Sequence, residues 1–223
     1  MVLLGGAVAV LVLAVIAYFA FFTDGGQSAN VPTRGLSTAI VVQPTDMTLG
    51  SPNAPVKVLE YGAPSCPVCA KFEMDNFDPM KKTFIDTGKV FFIFRTFPIN
   101  GAADGAAEGL ARCAGRTSAD NYFHFLDLLF RNQKDWDPEI TSDVRGGLLK
   151  MARIAGIEAE AETCMADKAS ADRINASEKD AVARYNVNAT PTLVINGVVQ
   201  QPGYIPWPTL KSTLESFLAR KQG

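Results

Sequence analysis

The stretch that most constrains this chain is Cys66-Pro67-Val68-Cys69, set between the apolar run Val56-Lys57-Val58-Leu59-Glu60-Tyr61 and a segment of helical periodicity. Two cysteines three apart on a helix share a face and lie close enough to bond to each other. A thiol at a helix N-terminus meets the positive end of the helix dipole and several free backbone N–H groups. Both favour the thiolate, which is the reactive form. Ser65 reads as the N-cap, and Pro67 suits the first turn, where no backbone donor is needed. On this reading Cys66 is the exposed, acidic, attacking sulfur. Cys69, one turn further in, is the shielded partner that resolves a mixed disulfide. A zinc clip would want a second ligand pair. The sequence has neither a second CxxC nor a His cluster, so redox chemistry is favoured over metal binding.

Charge and composition narrow the alternatives. A net charge of −2 over 223 residues, with no Lys/Arg cluster, argues against a nucleic-acid partner. The single histidine, His124, lies in Tyr122-Phe123-His124-Phe125-Leu126 and reads as an ordinary helix residue rather than a catalytic one. The four cysteines form an even set, which suits an oxidising compartment. The length holds one medium domain with an insertion.

Taken in order, Val2 to Phe22 is an uncharged apolar run of 21 residues, long enough to cross a bilayer as a helix. It lacks the basic start of a signal peptide and exceeds the usual apolar centre, so residues 1–22 read as an uncleaved anchor in preference to a cleaved signal. No Lys or Arg flanks the run closely enough to set its orientation. Residues 23–45 read as a tether, rich in Gly, Ser, Asn and Pro at first, with Ala39-Ile40-Val41-Val42 as a short strand candidate. Residues 46–99 carry two buried strands around the CPVC helix. Residues 100–186 are helical throughout, in pieces at 102–115, 120–133, 141–156, 158–167 and 171–185, the third starting from a Thr or Ser cap. Within them Phe123, Leu126, Leu129 and Phe130 read as core packing. Residues 187–223 return to a strand, an Asn196-Gly197 hairpin and a last helix.

This order resembles a thioredoxin fold with an inserted helical subdomain. The local sequences are similar to the DsbA-like thiol–disulfide oxidoreductases. They are the run from Leu49-Gly50-Ser51-Pro52 through Tyr61 into CPVC, and Val187-Asn188-Ala189-Thr190-Pro191-Thr192. The resemblance extends from Asp46 to the C-terminus. It implies that Pro191 is a cis-proline beside the active-site sulfurs, leaving the Thr190 backbone open to a substrate strand. It also implies that Glu60 is the buried acid that handles the proton of the inner thiol. A Glu inside an apolar strand is costly unless used or paired, which agrees. Typical DsbA proteins carry Pro-His between the cysteines. Pro67-Val68 stands here instead, which predicts a weaker leaving group at Cys66.

Cys113 and Cys164 fall on separate insert helices. They are either buried free thiols or a structural disulfide, and the second is preferred because an oxidising site and an exported compartment go together. That link would contribute about 4 kcal/mol on the chain-entropy account. The function implied is an oxidase that passes its Cys66–Cys69 disulfide to unfolded or partly folded exported proteins. A DsbB-like membrane partner would reoxidise it, with no cofactor and no metal. Its expected place is the inner membrane, single-pass and facing the periplasm, or the periplasm itself if the leader is cleaved. A reductase or isomerase on the same fold is the alternative, favoured by Val68 and by a Thr before Pro191. A copper- or polypeptide-binding module is a more distant one.

Overall fold

The run around Glu60 becomes a strand covered on both faces, with only Lys57 less than fully buried. The structure, a computed structural model, describes residues 39–220. Five strands form one sheet: β1 (Met47–Leu49), β2 (Val56–Gly62), β3 (Val90–Thr96), β4 (Thr192–Ile195) and β5 (Val198–Val199), in the order β1-β3-β2-β4-β5. β2 and β3 are parallel, with Val56 opposite Val90 and Gly62 opposite Thr96; the other pairs are antiparallel. Parallel neighbours need a crossover, and helix α1 (Pro67–Met80), continued by a wide turn at Lys81–Ile85, supplies it. Pro79 sits inside α1, where it lacks a donor, and the helix widens immediately after it.

The insert contains α2 (Gly101–Ala114), α3 (Ala119–Arg131), the short α4 (Gln133–Trp136), α5 (Val144–Ile154), α6 (Ala161–Met165) and α7 (Lys168–Tyr185). The chain then enters β4 and turns through Asn196 (φ 47°) and Gly197 (φ 83°), the left-handed pair that a tight hairpin requires. It ends in α8 (Trp207–Arg220). This is the thioredoxin-like arrangement with a helical insert.

Side-chain alternation along β2 sorts the core. Val58 packs with Phe72, Phe92, Phe123 and Leu129 on the face that α1 and α3 cover. Leu59 and Tyr61 pack with Ile93, Ala181 and Tyr185 on the face that α7 covers. Glu60, in phase with Val58, therefore points toward the helix carrying the two cysteines. Phe123, Leu126, Leu129 and Phe130 lie in this core, as their spacing predicts.

Three local expectations are corrected. Residues 39–42 are not a strand. Their carbonyls are taken by side chains, Val41 O by Arg95 Nη2 at 2.7 Å and Ala39 O by Arg184 Nη2 at 2.6 Å. The edge strand is Met47–Leu49 instead, held beside β3 by the buried Arg95–Asp46 pair, whose two bonds measure 2.9 and 2.8 Å. The helix expected from a Thr or Ser cap near residue 141 begins at Val144, because Asp143 Oδ1 accepts the Gly146 N–H at 2.9 Å. The helix expected over 120–133 ends at Arg131, and Gln133 opens a separate turn.

Cys113, at the end of α2, and Cys164, in α6, are bonded, with Cα atoms 6.0 Å apart across 51 positions of sequence. Gly109 makes that approach possible: a Cβ there would stand 2.1 Å from the Cys164 carbonyl oxygen. The membrane helix expected over 1–22 lies outside the described residues. Among the described residues no helix is long and apolar enough to cross a membrane.

Candidate active site

Cys66 closes the start of α1 itself. Its backbone is extended (φ −73°, ψ 118°) and its Sγ accepts the Cys69 N–H at 3.3 Å, so the sulfur occupies the N-cap position expected of Ser65. Ser65 is unavailable for that role because the insert engages it. Its N–H donates to Asp104 Oδ1 at 2.9 Å, and its Oγ accepts from Asn100 Nδ2 at 3.1 Å. Pro67 occupies the first helical turn as expected.

The Thr190–Pro191 peptide is cis, and the Cys66 thiol donates to the Thr190 carbonyl at 3.6 Å. This loop lies over the sulfur, so Cys66 is only 4% exposed where the spacing argument placed it in the open. Cys69 is fully buried. Val68, between them, is 40% exposed and offers no donor or charge.

The two thiols are driven apart in acidity. The Cys69 thiol facing it, the Thr190 side chain and the Cys69 and Val68 N–H groups bring Cys66 down to about 6 against the opposing effect of burial. Burial first, then the facing Cys66 and the charge of Glu60, push Cys69 well above the ordinary thiol range. One thiolate ready to attack beside one thiol that resists ionisation is the arrangement dithiol–disulfide exchange requires.

A family model described as thioredoxin matches residues 42–215. The chain is a DsbA-like member of the thioredoxin family. The solved structure of alpha-DsbA1 from Wolbachia pipientis superposes with a TM-score of 0.73 at 26% identity, covering 82% of this chain and 95% of that one. Oxidised BdbD from Bacillus subtilis gives a TM-score of 0.64 at 26% identity, with 81% and 98% covered. Disulfide bond formation protein D of Bacillus subtilis is 29% identical over 86% of this chain and 87% of its own. A Rickettsia bellii relative is 28% identical over 70% of this chain, which spans 59% of that protein's length.

In this DsbA-like site the buried acid is one of two. Glu60 is wholly buried, and neither of its oxygens has a hydrogen-bond partner of good geometry. Glu73, seven residues beyond Cys66 on α1, is buried with one oxygen likewise unpartnered. Burial and then the charge of Glu73 push Glu60 well above the ordinary carboxylate range. Burial raises Glu73 to about 7, against the lowering effect of a hydrogen bond from Glu60 and with a smaller push from Asp127.

Sequence reasoning missed Glu73, Asp104 and Gln133. Glu73 carried a readable signal, since it follows Phe72 on the helix face that turns inward. Gln133 carried none, because its partners lie 67–69 positions away in the chain, and neither did the hold of Asp104 on Ser65, 39 positions away.

Reduced protein treated with a small alkylating reagent at pH 6.5 is expected to carry the label on Cys66 alone, because only that sulfur is appreciably ionised there. Peptide mass mapping reads the result; equal labelling of Cys69 would show that the acidity is not divided in this way.

Proposed function

We propose that this protein introduces disulfides into exported proteins by dithiol–disulfide exchange at Cys66 and Cys69. The observation that carries the reading is the divided acidity of the pair, with the Cys66 sulfur lying against the Thr190 carbonyl. A substrate thiolate attacks Cys66 Sγ of the oxidised pair, the Cys66–Cys69 bond breaks, and its electrons go to Cys69. Glu60 supplies the proton that Cys69 takes up. A second substrate thiolate attacks the substrate sulfur of the mixed disulfide, and Cys66 leaves as a thiolate. With its acidity near 6 it leaves readily at neutral pH. Thr190 presents backbone to the incoming extended chain, and Pro191 shapes that loop.

The substrates are unfolded or partly folded exported proteins, and a DsbB-like membrane protein would take the two electrons. The Cys113–Cys164 bond supports an oxidising compartment. The apolar run over 2–22 supports a single-pass inner-membrane anchor with the catalytic domain in the periplasm, or release into the periplasm if it is removed. Val68 favours a second reading, a reductase or isomerase, since it deprives the thiolate of an imidazole partner. The test is stoichiometric oxidation of reduced, unfolded ribonuclease by the oxidised protein. Two ribonuclease thiols lost per Cys66–Cys69 disulfide support the oxidase. Rapid reactivation of scrambled ribonuclease without net oxidation supports the isomerase instead.

Val68→His is expected to lower the Cys66 pKa and raise the reduction potential by ~20 mV. A partly exposed imidazolium contributes about 1 kcal/mol after solvent screening, and about 1.4 kcal/mol corresponds to about 30 mV. Equilibration with glutathione measures it, and an unmoved potential would place the tuning outside the dipeptide.

A further inference from the structure

Residues 63–67 contain Pro64 and Pro67, which have no N–H to give, and the segment makes one backbone bond of its own, Cys66 N–H to Ala63 O at 3.0 Å. The helical insert supplies further anchors. Asp104 holds the Ser65 N–H, and Asn100 holds its hydroxyl. Gln133, buried at the start of α4, donates through Nε2 to Pro64 O at 2.8 Å and to Cys66 O at 3.0 Å. Cys66 O also accepts the Ala70 N–H at 3.0 Å, so the Cys66–Pro67 peptide is held by the helix on one side and by Gln133 on the other.

The four-residue helix that carries Gln133 is itself fixed. Trp136 is fully buried and donates Nε1–H to Leu129 O at 3.0 Å. Gly147 of α5 lies so close that a Cβ would stand 1.9 Å from Asp135 O. An amide placed this rigidly against the two carbonyls flanking Ser65 fixes the orientation of the peptide from which the Cys66 side chain departs. That orientation decides whether Sγ sits over the Val68 and Cys69 N–H groups.

We infer that Gln133 is a positioning residue for the attacking sulfur: by fixing the Pro64 and Cys66 carbonyls it keeps Cys66 Sγ in the N-cap position, and so makes the helical insert a determinant of thiolate stability. The inference rests on the reading of Cys66 as the attacking sulfur. Loss of the amide frees the peptide to rotate and removes a positive dipole end from beside Cys66, and both effects act against the thiolate.

The test compares Gln133→Met, which keeps the length but cannot donate, with Ile93→Val, which weakens the core on the opposite face of the sheet, away from Gln133 and residues 63–67. The Cys66 pKa is read from thiolate absorbance and the equilibrium constant from glutathione mixtures, beside a urea unfolding curve for each variant. Gln133→Met is expected to raise the Cys66 pKa by about 0.5–1 unit and to shift the equilibrium roughly three- to tenfold toward the disulfide. Ile93→Val is expected to lower stability with the pKa unmoved. If Gln133→Met does not fold, Gln133→Asn, whose amide falls short by one methylene, carries the same expectation. A wild-type Cys66 titrating at the ordinary thiol value would defeat the reading beneath the inference. A low wild-type value left unmoved by the Gln133 variant, or moved equally by Ile93→Val, would overturn the inference alone.

Discussion

Glu60→Gln is expected to stabilise the fold by about 2 kcal/mol at pH 8 while slowing disulfide exchange about 10²-fold. Glu60 is completely buried with no hydrogen-bond partner of good geometry, and burial, then the charge of Glu73 and a hydrogen bond to it, raise its pKa well above the ordinary carboxylate value. Above about pH 4.3 the unfolded chain has released protons that the native state still holds. Stability is therefore fully present below the unfolded value and falls as pH rises through the folded one. Glu73, raised to about 7, acts with the same sign. An isosteric amide removes the ionised form of Glu60, so the fall in stability between pH 5 and pH 8 should become shallower. The cost appears in exchange, because Cys69, which resists remaining ionised, loses the group that supplies its proton as the disulfide is reduced. Urea unfolding at both pH values and single-turnover reduction kinetics measure the two halves. A variant no more stable than wild type at pH 8 would mean that Glu60 imposes no ionisation cost.

The second large effect is structural. Asp104→Ala is expected to cost about 3–5 kcal/mol, since one buried carboxylate accepts three backbone N–H groups. Ser65 donates to Oδ1 at 2.9 Å, while Ile99 and Asn100 donate to Oδ2 at 2.9 and 2.8 Å. Asp104→Asn should recover only part of the loss. Its oxygen can face one side of this fork, and its NH₂ must then confront donors on the other. Unfolding midpoints give the ranking wild type, Asn, Ala; equal midpoints for all three would show that water satisfies these groups equally well.

What could be read from the sequence follows the range of the interactions involved. Val56–Gly62, Val90–Thr96 and Thr192–Ile195 are apolar runs whose burial is written into them, and the structure places strands there within a residue or two. Asn196-Gly197 specifies its own turn. Met47–Leu49 was hidden because its strand character comes from pairing with β3 and from Arg95 gripping Asp46, whereas Val41 and Val42 looked more strand-like and remain exposed. The same division holds at the site. CPVC, Glu60 and Thr190-Pro191 announce themselves by motif, and the structure gathers them around one sulfur. The cap was misplaced by one residue because Ser65 is the better intrinsic N-cap, and only the Asp104 and Asn100 contacts take it out of contention.

Both margins of the sheet are short. β1 runs for three residues and β5 for two, and the Gln200 N–H that follows β5 is already spent on Leu193 O at 2.8 Å. On the proposed function the protein works among unfolded chains, surrounded by segments seeking an unpaired backbone. A long open margin would collect them as added strands and seed aggregates. Here the outer rows offer too few free groups to hold a guest. On the same proposal, an incoming chain is left to pair beside Thr190, within reach of the one sulfur able to react with it and let it go.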